Sequence, residues 1–412
     1  MTTDNPRRPR ALVKARVAVY LTFLANGLGF SNLVPRYPEI LEDLGMTKSA
    51  FGQAVMFGSI GALVAGLAAS WLITRLTSAR VASIGMMVLG LGLLGAGVAD
   101  SWPAFAVCLA WVGGVDAIVD VAQNAHGLRV ERRWGGSIIT SFHAAWSLGA
   151  VLGATMGQVM AGAGVPVALH MALVLALLSV VAGLALPWTI KGPDSQDREG
   201  LLEGDLTPPG RVTPGAEPAS ARSRPVTVAI IIVLGLMCAA AMFPEDVAGS
   251  WSSLLLAEQG AAPGAVGMGL VSLQGTMIVG RLVGDVVIDR LGPRRVIGGG
   301  GLLVAVGMVI ALVLGSVPGT LIGMVIAGVG CAVAVPVAYA AADDIPGLRP
   351  GQGLTIVSWL ARVIMLVSPP VIGWFADAHG TWVALVYGLV GGAILAISWP
   401  VLRRRSPARA AS

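Results

Sequence analysis

Apolar residues form long runs along most of this chain, and short polar segments separate them. A window of about 19 residues finds twelve runs long enough to cross roughly 30 Å of hydrocarbon as an α-helix. The pattern predicts an all-α membrane protein with twelve transmembrane helices, near residues 16–36, 50–73, 80–99, 103–126, 137–162, 165–188, 226–256, 264–289, 296–315, 318–341, 353–376 and 381–401.

Composition agrees with this pattern, since 55% of residues are apolar, 12% are charged and the mean hydropathy is +0.80. Cys108, Cys238 and Cys331 lie in separate runs, without the spacing of a metal site or a disulfide pair. The sequence contains no nucleophile–base set and no phosphate-binding glycine loop. We therefore expect neither an enzyme nor a bound metal or cofactor.

The distribution of basic residues predicts the orientation. Of the 27 Lys and Arg residues, all except Arg36, Lys48, Arg281 and Arg362 fall in the N-terminal tail, the loops after even-numbered helices and the C-terminal tail. Because basic residues concentrate on the cytosolic side, both termini are predicted to be cytosolic. The excess of basic over acidic residues is thus explained by the orientation of a multi-pass protein in the cytoplasmic (inner) membrane rather than by nucleic-acid binding.

The chain divides into two similar halves. Residues 191–224 are polar and rich in Pro and Gly, which predicts a flexible cytosolic linker between halves at 1–190 and 225–412. Ile73, Arg75 and Leu76 recur in the same register as Ile288, Arg290 and Leu291. Two related six-helix halves imply a pseudo-two-fold axis along the membrane normal and a solute site near the midplane.

The segment GRLVGDVVIDRLGPRR carries much charge at the cytosolic end of the eighth span. Arg281, Asp285 and Asp289 follow each other on one helical face, since they are four residues apart. Positive-inside anchoring explains the following arginines, but not the aspartates. We interpret the set as a conformational latch that forms and breaks during transport: Arg281, Asp285, Asp289, Arg290, Arg294 and Arg295.

This segment resembles the signature of the major facilitator superfamily, an Asp-Arg-x-Gly followed by basic residues, here from Asp289 to Arg295. The resemblance implies twelve helices that rock around a central cavity. The first half departs from the signature, because Ser70 and Thr74 stand where the second half has Asp285 and Asp289. The second half is therefore expected to carry most of the latch.

The fourth span contains the strongest candidates for proton coupling. Asp116, Asp120 and Asn124 lie on one helical face at successive spacings of four residues. Two carboxylates about 6 Å apart in a low dielectric resist ionising together, so one is expected to hold a proton near neutral pH. A structural hydrogen bond to a neighbouring helix is the alternative for each.

An acid four residues before an Asn resembles the fucose-permease branch of the superfamily, in which that acid couples protons or binds sugar. The resemblance assigns these roles to Asp120 and Asn124. Glu245, six residues before Trp251, is similar to the branch's acid and aromatic residue in the seventh span. Branch members carry Asp just before this Trp, whereas here Ser250 stands there and an acid appears at Asp246.

Other polar groups at membrane depth are candidate solute ligands. They are Asn26, Trp251, Gln274 and His143, with Asn124 from the fourth span. Interhelical hydrogen bonds, or packing for the Trp and His rings, are the alternatives. Pro244 is expected to kink or unwind the seventh helix beside Glu245.

Arg362 lies about ten residues into the eleventh span, or about 15 Å deep, close to the midplane. A guanidinium at this depth requires an anion. It either pairs with Asp116, Asp120 or Glu245, or binds a carboxylate or phosphate of the solute.

Together these features predict a monomeric secondary active transporter, a proton-coupled symporter for a sugar or sugar-derived acid, driven by the proton gradient without a cofactor. The alternative is a drug/proton antiporter of the same fold. The sequence lacks the fourth-span arginine and fifth-span Gly-Pro motif by which such antiporters resemble one another. The expected partners are the solute, protons and the lipid bilayer.

Overall fold

The computed structural model describes residues 9–135, 138–194, 224–343, 345 and 352–402. Within these ranges the description leaves out the side chains of Thr140, Arg224, Asp285, Ala340, Asp343, Gln352, Leu354 and Thr355. All regular elements of the described ranges are helical. Twelve segments are long and apolar enough to span a membrane. The predicted all-α membrane fold with twelve spans is therefore confirmed.

The first six spans consist of eight helices in the described ranges: α1 (Arg10–Ser31), α2 (Tyr37–Asp43), α3 (Lys48–Gly66), α4 (Ala69–Leu76), α5 (Ser78–Gly97), α6 (Trp102–Trp134), α7 (Ile139–Gly162) and α8 (Val167–Ala185). The first span continues through a 3₁₀ turn, Val34–Arg36, into α2. Residues 195–223 of the predicted linker lie outside the described residues.

The last six spans consist of α9 (Arg224–Asp246), α10 (Ser252–Glu258), α11 (Met268–Leu291), α12 (Pro293–Leu314), α13 (Val317–Cys331), α14 (Ala334–Asp343), α15 (Gln352–His379) and α16 (Val383–Ser398). Two predicted runs are interrupted, at Gly66–Ala69 and at Cys331–Ala334. Their apolar character continues through each break, so hydropathy could not locate it.

One compact unit contains the described residues within 1–33, 57–160 and 164–211. In it α5 packs against α6 and α8, and α1 packs against the same two helices. α1 also approaches α7 closely, because a Cβ on Gly27 would lie 2.1 Å from the carbonyl oxygen of Trp146. Small residues permit such backbone approach between membrane helices. This contact brings Asn26 next to α7.

The second compact unit contains the described residues within 34–56, 161–163 and 212–412. In it α12 packs against α13 and α16, and α9 packs against α15 and α16. α2 and the first turns of α3 belong to this unit. A Cβ on Gly52 of α3 would lie only 2.2 Å from the carbonyl oxygen of Pro369 in α15. Residues 34–56 are therefore tightly packed against α15.

The seventh span changes helical type three residues after Pro244. α9 continues through this proline to Asp246, and a π-helical turn, Val247–Trp251, connects it to α10. The backbone N–H of Ser252 donates to the carbonyl oxygen of Val247, five residues back. The predicted discontinuity beside Glu245 is present, but it is a wider turn after Asp246 rather than an unwound segment at Pro244.

The two halves repeat an unusual backbone conformation. Thr77 precedes α5 with φ 78° and ψ 149°, and Gly292 precedes α12 with φ 80° and ψ 153°. Both residues occupy the same place in the sequence repeat that contains Arg75 and Arg290. This region suits glycine, so Thr77 keeps the repeated turn at the expense of backbone strain.

Candidate functional site

A hydrogen-bonded chain joins three helices in the first unit. The Asn26 Nδ2 group of α1 donates to Asp116 Oδ1 of α6 at 2.7 Å. The Trp146 Nε1 group of α7 donates to Asn26 Oδ1, also at 2.7 Å. Asn26 is buried, so its amide satisfies a carboxylate on one side and an indole on the other. The structure thus brings two predicted site residues, Asn26 and Asp116, together.

Asp120 and Asn124 lie on the next turns of α6. The Asn124 Nδ2 group donates to Asp120 Oδ1 at 3.0 Å and to the Asp120 carbonyl oxygen at 2.8 Å. Gln123, which the sequence analysis did not single out, donates to the same carboxylate at 3.4 Å and is buried. Among the described residues, neither Asp116 nor Asp120 forms an ion pair. The predicted polar face is therefore a pair of carboxylates held by neutral donors.

His143 lies on α7 near the same region. Its ring packs edge-to-face against Phe23, with 5.3 Å between ring centroids. The side chain is exposed. A solute-binding role for His143 remains a prediction.

A second polar group lies in the second unit, where α9 meets α11. Arg281 Nη2 is 3.6 Å from Glu245 Oε1. The Gln274 Nε2 group donates to Glu245 Oε2 at 3.4 Å. Arg281, predicted for the latch, therefore neutralises Glu245, predicted for proton coupling. The functional roles of both residues remain predictions, but in the structure the two form one ion pair.

The π-helical turn of the seventh span contains Ser250 and Trp251, and Asp246 directly precedes it. The Ser250 hydroxyl donates to Asp246 Oδ1 at 3.0 Å. Trp251 is fully buried, and its ring meets Phe51 of α3 edge-to-face at 5.5 Å. Ser250, which stands where branch members carry Asp, thus contacts the acid one turn earlier, Asp246.

Arg362 extends from α15 beside Cys238 and Tyr339, with which it interacts electrostatically. Its side chain is exposed and forms no ion pair or hydrogen bond within the described part of the chain. It lies ten residues after Gln352, where α15 begins, or about 15 Å along the helix. A solute-binding role for Arg362 remains a prediction.

The remaining latch residues surround the turn between α11 and α12. A cavity of about 770 Å³ is lined by Asp289, Arg290, Leu291, Gly292, Pro293, Arg294, Arg295, Gly298, Gly299 and Trp399. The Arg294 Nη2 group donates to the Pro400 carbonyl oxygen at 2.9 Å, and its Nε group donates to that of Leu402. Arg294 is thus anchored to the chain that follows α16, while the side chain of Asp285 is outside the described residues. A latch role for this set remains a prediction.

Comparison with known families identifies the chain. The sequence model of the Major Facilitator Superfamily matches residues 19–255 and 234–412. The chain belongs to this superfamily. Family and fold together indicate a transporter rather than an enzyme, and members bind small solutes within a lipid membrane.

Relatives and solved structures agree with this assignment. An uncharacterized transporter of Sinorhizobium fredii is 27% identical over 93% of this chain and 96% of its own length. Membrane protein MosC of Rhizobium meliloti is 26% identical over 92% and 88%. A bacterial homolog of the human lysosomal transporter Spinster, inward-facing and unoccupied, has a TM-score of 0.73 at 14% identity, covering 97% and 99%. A D-xylose–proton symporter has a TM-score of 0.67 at 15% identity, covering 93% and 97%.

This member of the Major Facilitator Superfamily also has a charged cluster that the sequence analysis missed. Arg129 of α6 is fully buried and donates to the carbonyl oxygens of Lys191, Gly192 and Pro193 at 2.9–3.2 Å. Asp194 accepts the backbone N–H of Ser78 at 2.9 Å, at the N-terminus of α5. The cluster fastens the start of the predicted linker to two helix ends. Arg129 was missed because it was counted among loop residues.

A second missed cluster of this superfamily member lies in the second unit. Lys48 forms an ion pair with Glu258 at the end of α10. Asp377 of α15 accepts the backbone N–H groups of Lys48 and Ser49 at 2.7 and 2.9 Å. Its carboxylate thereby caps the N-terminus of α3, where negative charge is favourable. These contacts join residues more than 200 positions apart, which single-sequence patterns do not reveal.

Proposed function

We propose that this protein is a proton-coupled secondary active transporter that carries a sugar or sugar-derived acid across the cytoplasmic membrane by alternating access. The hydrogen-bonded chain of Asp116, Asn26 and Trp146, with Asp120 one turn away, carries this proposal. Two carboxylates at membrane depth held by neutral donors suit a group that gains and loses a proton. The fold of a D-xylose–proton symporter, shared by this chain, supports the same reading.

Asp116 and Asp120 hold the coupling proton. With no cationic partner for either carboxylate in the described residues, two negative charges one turn apart are unfavourable, so one proton is retained. A solute hydroxyl that donates to Asp120 replaces part of the stabilisation that Asn124 and Gln123 give. Solute binding and protonation are then linked through one carboxylate pair.

Glu245 is the second candidate for coupling. Its ion pair with Arg281 is half-buried, with side-chain exposures of 26% and 27%. Protonation of Glu245 would weaken its attraction to Arg281, which lies on the same helix as the predicted latch residues Asp285 and Asp289. The pair therefore offers a route from proton binding to movement of α11.

Arg362 gives the solute site its charge preference. Glu245 pairs with Arg281, and Arg362 contacts no carboxylate in the described residues, which supports the second alternative, an anionic group on the solute. A sugar-derived acid carries such an anionic group. We also propose assignment to the fucose-permease-like branch, a monomeric state, both termini in the cytosol and no cofactor besides the proton gradient.

Proton uptake into liposomes that contain the purified protein tests the function. D-xylose, D-gluconate and the cationic drug ethidium serve as probes, with a pH-sensitive dye inside. We expect sugar- or gluconate-dependent proton entry in the wild type and in Asp100→Asn, an exposed acid in the same unit. The Asp120→Asn variant should lose proton entry but retain exchange of labelled solute. Proton movement with ethidium alone would contradict the symporter and favour the antiporter.

A further inference from the structure

Four buried polar atoms lie in the π-helical turn of the seventh span, next to it in sequence, or on the helix that contacts Glu245, and have no hydrogen-bond partner among the described residues. They are Asp246 Oδ2, Trp251 Nε1, Ser253 Oγ and Gln274 Oε1. Buried polar groups in folded proteins are normally hydrogen-bonded, because leaving them unpaired costs free energy. A group of such atoms in one region is therefore a candidate site for a ligand that supplies the missing hydrogen bonds.

Asp246 and Trp251 face the same aromatic cluster. The Tyr37 ring is 4.8 Å from Phe51, and the Phe51 ring is 5.5 Å from Trp251. Tyr37 and Tyr387 both interact electrostatically with Asp246. Asp246 and Trp251 are thus connected through the rings of Tyr37 and Phe51.

The π-helical turn explains how one helix presents both groups. Asp246 directly precedes the turn Val247–Trp251 and Trp251 ends it, so the two residues are separated by about one turn of the wider helix. Pro244 removes one N–H from the preceding helix and so makes a change of helical type less costly there. π-turns inside helices frequently occur at functional sites.

We propose that Asp246 and Trp251 form a solute subsite that binds a hydroxyl group of a polyhydroxylated compound. The hydroxyl donates to Asp246 Oδ2 and accepts from the Trp251 Nε1 group, while the aromatic rings cover the apolar face of the sugar. A hydroxyl is both donor and acceptor and so satisfies the two atoms at once. This inference rests on the proposed function and adds Asp246, a residue outside the sequence-predicted site, to the residues that recognise the solute.

Asp246→Asn tests the subsite, because asparagine keeps the shape and still accepts from Ser250 through its amide oxygen. Binding of D-xylose and D-gluconate is measured as the shift in thermal unfolding of the detergent-solubilised protein. We expect affinity to fall at least about tenfold, the loss typical of a charged hydrogen bond. Trp251→Phe should also weaken binding while retaining the ring. Asp43→Asn, an exposed acid of the same unit, is the matched control and should bind normally.

The unfolding temperature without solute separates a binding role from a structural one. A buried carboxylate with one oxygen unpaired among the described residues destabilises the empty protein, so Asp246→Asn should unfold at the same temperature as the wild type or above it. A lower unfolding temperature together with unchanged binding would overturn the subsite. Wild-type protein that neither probe stabilises would contradict the hydroxyl chemistry. Sugar binding that depends on Asp246 without proton movement in liposomes would contradict the proposed coupling alone and uphold the subsite.

Discussion

Asn26 is the residue on which the polar chain of the first unit depends. Its amide is a donor to Asp116 and an acceptor for Trp146, two roles that no apolar side chain can replace. Asn26→Leu would leave a carboxylate and an indole N–H without these partners. We expect the free energy of unfolding to fall by about 2 kcal/mol or more, and solute-driven proton uptake to be lost.

Thermal unfolding and liposome flux measure the two effects of Asn26→Leu. Asn124→Leu is the matched control, because among the described residues the Asn124 amide bonds only to Asp120 of its own helix. Its cost should stay below about 1 kcal/mol. Equal costs for the two variants would contradict a special role for the interhelical chain.

Thr77 is predicted to be a strained residue that glycine would relieve. Its positive φ with extended ψ costs about 1–3 kcal/mol for a residue with a Cβ. Glycine removes this strain, but its greater conformational freedom in the unfolded chain offsets about 0.5–1 kcal/mol of the stabilisation. Thr77→Gly should therefore raise the free energy of unfolding by about 1 kcal/mol. The reverse change at the repeated position, Gly292→Thr, should lower it. Denaturant unfolding of both variants checks whether the first change raises the free energy of unfolding and the second lowers it.

The sequence predicted the relative positions of side chains correctly where they lie on a single helix. Asp116, Asp120 and Asn124 share a face because of helical periodicity alone, and the structure has them there. The pairing of Glu245 with Arg281 depends instead on the relative rotation and height of two helices. The sequence placed those two residues in different functional sets, since hydropathy contains no information on rotation.

At the scale of elements, hydropathy predicted the twelve spans but not their internal irregularities. The breaks after Gly66 and Cys331 and the π-helical turn at Val247–Trp251 lie inside apolar stretches. Pro244 signalled a disturbance in the seventh span, yet its form depends on neighbouring helices. Length and burial fix where a helix crosses the membrane, whereas tertiary packing decides where it bends.

The close contact of α3 with α15 is predicted to tolerate only glycine at position 52. An added Cβ would lie 2.2 Å from the Pro369 carbonyl oxygen, so the backbones would have to separate. Gly52→Ala should lower the free energy of unfolding by about 1–3 kcal/mol. Gly275→Ala on α11 has no neighbour within 4 Å and should be neutral or stabilising. Similar thermal unfolding of both variants would contradict the close contact.

At the scale of the whole molecule, charge distribution predicts both termini in the cytosol. The excess of Lys and Arg in one set of loops is the physical cause. A fluorescent protein fused to the C-terminus should fold and fluoresce, and alkaline phosphatase at the same place should be inactive. An active phosphatase fusion would reverse the orientation. The same fusions placed between α1 and α3 should give the opposite pair of results.

Transport by the whole molecule is predicted to require that the contacts of Lys48 break and re-form. Lys48 pairs with Glu258, and Asp377 caps the helix that Lys48 begins, so the start of α3 is held to α10 and α15 by charge. With the three native cysteines replaced, Lys48→Cys and Glu258→Cys can be joined by a short reducible bis-thiosulfonate reagent. We expect the joined protein to lose solute-driven proton uptake and to recover it on reduction, while Lys48→Cys alone remains active under the same treatment. Full activity of the joined protein would mean that these residues stay together throughout transport, and that alternating access uses a different set of contacts.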